Sequence, residues 1–303
     1  MDGTTGRMRI GIGGWEHDIL DRSLYPRPGM ESLEKLSHYA QFFNAVEVRA
    51  TFWDESLGAA DARAWAGAVG PDFQFVLKLN RRFTHEREMK TELARSTRAM
   101  LAELARRDRL GGLLLQFPYS FTNTGAARYH LGRLAEAFGG FPLLVEFRHD
   151  SWNQGSTAAL LAEHGVSPAI VDMPHVRQLA PLGRVRPEGT AYLRLHGRND
   201  KGWLLHGMDL RYDYLYNARE LAELKRRIDH LLARTTSLSV MFNNTSGAKA
   251  LANALQLQAR FSPSHRVALP PRSLETFPFL RDIAAPESVA MPLFAQEQYR
   301  EAV

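Results

Sequence analysis

One unit repeats along this chain and constrains its fold more than any other feature: a short strand pattern with one apolar and one polar face, a polar tip, a loop, then a helix pattern. In FPLLVEFRHDSW, residues 141–152, Leu144, Glu146 and Arg148 alternate with Val145 and Phe147. Side chains on a strand alternate between its two faces, so the two sets must lie on opposite sides. The pattern returns in RIGIGGW (9–15), VEVRATF (46–52), FVLKLN (75–80), LLLQFP (113–118), AIVDMP (169–174), YLRLHG (192–197) and VMFNN (240–244). Between most of these lie amphipathic stretches such as ESLEKLSHYAQFF, with Leu33, Leu36, Ala40 and Phe43 at helical spacing. Asn217, with Glu220 three residues on, reads as a capping box ahead of Leu221, Leu224, Ile228 and Leu231. Strict alternation of strand and helix is the mark of a parallel α/β sheet. Eight such units predict a TIM-like (β/α)8 barrel over residues 1–261.

Two stretches break the pattern. After the sixth strand, HVRQLAPLGRVRPEG carries no helical periodicity, so an irregular segment is expected where an outer helix would stand. From residue 262 to residue 303 a Pro-rich C-terminal extension is expected, since six of the 15 prolines fall between Pro263 and Pro292. Phe277, Phe279, Leu280 and Phe294 favour packing of that extension over disorder.

If Val46, Val48, Val145, Phe147, Leu193 and Leu195 meet the helices, their neighbours point into the barrel. Those neighbours are Glu47, Arg49, Lys78, Gln116, Glu146, Arg148, Asp172, Arg194, His196 and Asn243. Barrel interiors are ordinarily filled by branched apolar residues, and active sites lie at the C-terminal ends of the strands. So many buried ions, each costly when unpaired, favour a binding site at that mouth over a scaffold device. Glu47, Glu146, Asp172 and His196 are the candidates for acid/base catalysis, as in a carboxylate-based hydrolase, isomerase or lyase. Trp15, Arg49, Lys78, Gln116, Arg148, Arg194, Asn243 and Asn244 are the candidates for substrate binding. Cations outnumber carboxylates there, so a small anionic or sugar-containing ligand is the expected partner.

Other chemistries fare worse. The chain has no cysteine, which removes disulfides, thiolate nucleophiles and Cys-based zinc sites. HEREM (85–89) lacks the second histidine of a zincin, GIGGWE has Glu16 where a dinucleotide fingerprint needs glycine, and no Walker loop or G-x-S-x-G elbow occurs. No cofactor is identified by these residues. Hard ligands on several strands keep a metal-dependent nuclease-like barrel in play as a rival reading, but Arg49, Lys78, Arg148 and Arg194 would crowd a dication, and no bound metal is expected. A non-catalytic ligand sensor is the third reading. The formal net charge of +5 is dispersed rather than gathered in runs, so only weak affinity for nucleic acid is expected. With no apolar run long enough for a bilayer and no charged-then-apolar leader, a soluble cytoplasmic chain is expected.

Several separated motifs in order, GIGGW with a following YP, FNAVEVRATFW, FVLKLNRRFTHER, LGGLLLQFPYSF, VEFRHDSW, YLRLHGRN, RYDYLY and FNNTSGAKALANA, resemble the DUF72, or YecE-like, family over roughly residues 9 to 260. The resemblance implies a TIM-like barrel and brings no activity with it. Arg49 stands where the family pattern commonly has Asn, and Thr245 where an Asp follows the Asn pair.

Overall fold

A computed structural model describes residues 7–174, 189–204 and 208–286. The irregular segment expected after the sixth strand lies outside these residues, as does Phe294. Nine parallel strands, β1 (Arg7–Gly13), β2 (Ala45–Val48), β3 (Gln74–Lys78), β4 (Leu110–Gln116), β5 (Leu143–Glu146), β6 (Val166–Pro168), β7 (Ile170–Asp172), β8 (Thr190–Leu195) and β9 (Ser237–Phe242), form one sheet in the order β6-β5-β4-β3-β2-β1-β9-β8-β7. The two ends of that order are separated in the chain by Ala169 alone. The sheet therefore curls into a barrel whose seam is the sixth predicted strand, broken in two. Pro168 supplies the reason, because it has no N–H to donate to a ladder. β6 stays with β5, Ala169 N donates to Val145 O at 2.8 Å, and β7 turns to pair with β8.

Helices follow the strands: α1 (Ser32–Tyr39), α2 (Ala59–Gly67), α3 (Thr91–Arg106), α4 (Gly125–Ala137), α5 (Gly155–Glu163), α6 (Ala218–Leu232) and α7 (Lys249–Phe261). The capping box at α6 forms as expected, Asn217 Oδ1 accepting from Glu220 N at 3.0 Å and Glu220 Oε2 accepting from Asn217 N at 2.9 Å. Leu33 was assigned to the buried stripe of α1 but is exposed, α1 meeting the barrel instead through Leu36 and Tyr39. Between β8 and α6 two short helices occur, Asp200–Leu204 and Met208–Arg211.

The core has two compartments. Between strands and helices, Val46, Leu77, Leu115, Val145, Leu193 and Val240 are buried, each such side chain stabilising the fold by roughly 1.5–3 kcal/mol. Inside the barrel, Ala45, Val76, Leu114, Leu144, Tyr192 and Met241 form a separate apolar cluster. Two residues further along each of those six strands stand Glu47, Lys78, Gln116, Glu146, Arg194 and Asn243. An alternating strand keeps both positions on one face. The interior is thus an apolar plug with a polar layer above it at the C-terminal end. In the C-terminal part, Leu269, Phe277, Leu280 and Ala284 are buried in the outer compartment, and Val267 bridges to Ala284. No helix of the described residues is long and apolar enough to cross a membrane.

Candidate functional site

Arg194 organises the polar layer. Its Nε and Nη2 donate to the two oxygens of Glu47 at 2.8 and 2.7 Å, and Nη1 donates to Glu146 Oε2 at 2.8 Å. All three side chains are buried. The Tyr192 hydroxyl donates to Glu47 Oε2 at 2.5 Å, which completes the surroundings of that carboxylate. Burial alone would raise the pKa of both carboxyls, but Arg194 and Tyr192 hold Glu47 below its ordinary value. Arg148 and Arg194 hold Glu146 well below its own.

Glu146 leads to a second group. Its Oε1 lies 2.5 Å from Arg148 Nε, a close ion pair without hydrogen-bond alignment, and 3.3 Å from His196 Nε2. Asn243 Nδ2 lies 2.9 Å from His196 Nδ1. With the amide donating, Nδ1 is the acceptor and the ring proton sits on Nε2, towards Glu146. Burial, then the Arg148 charge, push His196 down to about 4, so the ring is neutral at neutral pH. Gly13 makes room for this group, because a Cβ there would meet Asn243 Oδ1 at 2.7 Å. Above the ring, Trp203 and Tyr212 lie with centroids 6.1 and 5.7 Å from it, and the Arg148 guanidinium sits 4.9 Å from the Trp203 ring centre.

Lys78 and Arg49 complete the mouth. Lys78 Nζ lies over the Phe52 ring at 3.7 Å, and burial followed by the Arg194 charge lowers it to about 7. Arg49 Nη1 approaches His17 Nε2 at 3.3 Å, and that histidine nitrogen lies 2.7 Å from Gly13 O. Gln116, beside Glu146 in register, donates from Nε2 to Phe117 O at 2.7 Å.

Three expected members of the site stand elsewhere. Asp172 was expected to face inward, but on β7 it is Val171 that joins the interior cluster. Asp172 faces outward, where Arg198 donates to both its oxygens at 2.9 and 2.8 Å and Tyr216 donates at 2.8 Å. Trp15 was placed at the mouth, yet it is buried in the outer compartment, its Nε1 donating to Ser32 O at 3.2 Å and its ring edge-on to Trp65. Asn244 alternates away from Asn243 and donates to Tyr214 O and Asn253 Oδ1 at 2.8 and 2.9 Å. Conversely, Tyr192 was overlooked as a contributor. It stands two residues before Arg194, and strand alternation was the signal that could have found it. Arg198 and Phe52 carry no comparable mark.

For a divalent metal the fit is poor. The two interior carboxylates are engaged by Arg194, and among the described residues no three His, Asp or Glu side chains gather as ligands.

The fold and site define a class: a parallel α/β barrel whose interior is apolar below and charged at its C-terminal mouth. The chain belongs to the family described as "Protein of unknown function DUF72", which it matches over residues 9–276. It is 28% identical over 286 residues to the UPF0759 protein YunF of Bacillus subtilis, spanning 88% of this chain and 99% of that protein. A crystal structure of a DUF72 family protein from Thermotoga maritima superposes with a TM-score of 0.74 at 28% identity, covering 84% of this chain and 99% of that one. Another, from Enterococcus faecalis, gives 0.72 at 27% identity, with 83% and 94% covered.

Proposed function

We propose that this chain is an acid/base enzyme that binds a small anionic or sugar-containing ligand at the C-terminal mouth of its barrel. One observation carries the reading. Glu146 Oε1, Arg148 Nε, Asn243 Oδ1 and Trp203 Nε1 are buried and without a hydrogen-bond partner among the described residues, and the side chains that bear them surround His196. Glu146 Oε1 and Arg148 Nε meet each other only as an ion pair, and Asn243 Oδ1 and Trp203 Nε1 meet no partner among the described residues; since buried polar groups are normally satisfied, this set around one imidazole favours a ligand there. Charge supports the same reading. With Asp172 paired outside, Arg49, Lys78, Arg148 and Arg194 face two carboxylates, Glu47 and Glu146, so four potential cations stand against two anions.

The chemistry follows from protonation. Glu146 is ionised, and its Oε1 is ion-paired with Arg148 without accepting a hydrogen bond, so it is the group to accept a proton from the ligand. His196 is neutral and presents Nε2–H, which suits it to polarise a carbonyl or hydroxyl oxygen beside that proton. Such a pair serves an isomerase or lyase acting next to a carbonyl, and a hydrolase less directly. Arg49 and Arg148 supply charge for the anionic group.

Thermal unfolding with sulfate, inorganic phosphate or glucose 6-phosphate, against sodium chloride at equal ionic strength, tests this. A ligand at a hundred times its Kd adds about 2.7 kcal/mol. For a chain this long that raises Tm by about 2–4 °C per kcal/mol. Arg148→Met and Arg49→Met together are expected to abolish the shift. Arg194 is unsuitable for the test, because it holds Glu47 and Glu146. A midpoint unmoved by every anion, or a shift that survives both substitutions, would overturn the proposal.

A further inference from the structure

Lys78 ends β3 with its side chain in the barrel, directly above Val76 of the apolar plug. Its backbone is held at the strand tip by Thr51, whose hydroxyl donates to Lys78 O at 2.7 Å. The chain has six lysines, and four of them, Lys35, Lys90, Lys225 and Lys249, sit against Asp21, Glu55, Asp229 and Asp213. Lys78 differs. Among the described residues no carboxylate lies within ion-pair distance of its Nζ, which rests on the face of Phe52 and keeps some exposure at the mouth. The interior carboxylates that would pair with it are held by Arg194. A lysine kept in a barrel mouth without a paired anion has only the Phe52 ring face against it to favour its charge, and a desolvated neutral amine is a nucleophile.

We propose that Lys78 is a covalent nucleophile towards small aldehydes and ketones that carry an anionic group, such as 2-oxo acids and sugar phosphates, forming an imine within the mouth. The amine lone pair attacks the carbonyl carbon, a C–N bond forms, and the carbonyl oxygen takes up a proton to give a carbinolamine. The C–O bond then breaks and water leaves, so that amine, carbonyl and one proton from solvent become a protonated imine and water. No oxidant or reductant enters. The product cation would lie in the field of Glu47 and Glu146, and the anionic group in that of Arg49 and Arg148. The groups facing Nζ explain why the amine is available near neutral pH. Burial is the largest influence against the ammonium, Arg194 from β8 and Arg49 beyond β2 act with it, and Glu47 from β2 and Glu146 from β5 oppose them. His85, beyond β3, is itself held down to about 4 by burial and then by Lys78, so it adds no positive charge near neutral pH.

The proposal rests on the reading of the mouth as a ligand site, and two labelling arms keep the two ideas separable. In the first, full-length protein at pH 7 is treated with limiting formaldehyde and sodium cyanoborohydride, and methylation of each lysine is mapped by peptide mass spectrometry. This arm needs no ligand recognition. Lys78 is expected to react at least tenfold faster than Lys201 or any paired lysine, with a rate that rises to half its maximum near pH 7. In the second, pyruvate or dihydroxyacetone phosphate is reduced onto the protein with sodium borohydride. One adduct per chain is expected at Lys78, absent from Lys78→Arg and suppressed by inorganic phosphate. Equal reactivity of Lys78 and the surface lysines in the first arm, or carbonyl adducts spread over several lysines in the second, would overturn it. Fast methylation of Lys78 with no phosphate suppression of the adduct would leave the amine reactive and count against the anion site instead.

Discussion

Arg194 is the residue whose loss the barrel should tolerate least. It compensates two buried carboxylates at once, and removing one partner of a buried ion pair costs about 3–5 kcal/mol because the other charge stays behind. Arg194→Met is therefore expected to lower the free energy of urea unfolding by at least that much. Adding Glu47→Gln should recover part of the loss, since a neutral amide no longer needs the cation. A loss under about 1 kcal/mol would mean that water or the other cations already compensate the carboxylates. Arg148 pairs with one buried carboxylate, Glu146, where Arg194 pairs with two, so Arg148→Met should cost less than Arg194→Met.

At the scale of elements, α6 gives a graded test. Asn217→Ala removes one side of the capping box and should cost about 1 kcal/mol in urea unfolding. Glu220→Ala should cost more, because Glu220 also accepts from the Tyr214 hydroxyl at 2.6 Å and from Arg198 at 3.3 Å. Equal losses would show that only the cap matters. This box was legible in the sequence because capping is local: residue types at a three-residue offset are enough to specify it. The phase of most strands was legible for a similar reason, since alternation places Glu47, Lys78, Glu146, Arg194 and His196 on one face without knowledge of their neighbours. Alternation failed on the sixth strand. VSPAIVDMP offers apolar residues on both phases, so nothing local decides whether Val171 or Asp172 turns inward. Pairing with β8 across the seam decides it, and that is a long-range fact. Trp15 was misplaced because residues beyond a strand tip follow loop geometry rather than strand period, whereas Asn244 turns away as alternation from Asn243 requires.

For the whole molecule, pH reads the polar layer directly. A histidine held neutral with its pKa near 4, against an ordinary 6.5, is less basic folded than unfolded. Between those values the unfolded chain binds the extra proton, so stability falls as pH drops from 6.5 towards 4. Glu47 and Glu146, depressed in the folded chain, contribute stability above the ordinary carboxylate pKa of 4.5 and lose it as pH falls through their folded values. Urea unfolding from pH 7 to pH 4 should thus show stability declining first through His196 and His85, both held near 4 in the folded chain. The difference between the native chain and His196→Gln should shrink steadily over that interval. A difference that does not change with pH would show that His196 does not hold its proton balance through burial. The layer also bears on the order in which the chain assembles. Its carboxylates come from β2 and β5, whereas the cation that neutralises both comes from β8, nearly 150 residues after Glu47. An N-terminal half-barrel ending at β5 would hold both acids without the one cation that hydrogen-bonds to each of them, leaving only Arg148 beside Glu146 and Lys78 near Glu47. At neutral pH such a folding intermediate is penalised until β8 docks, which couples the two halves into one cooperative transition. In mild acid, where the carboxyls are protonated, the same half-barrel loses its penalty and should become long-lived.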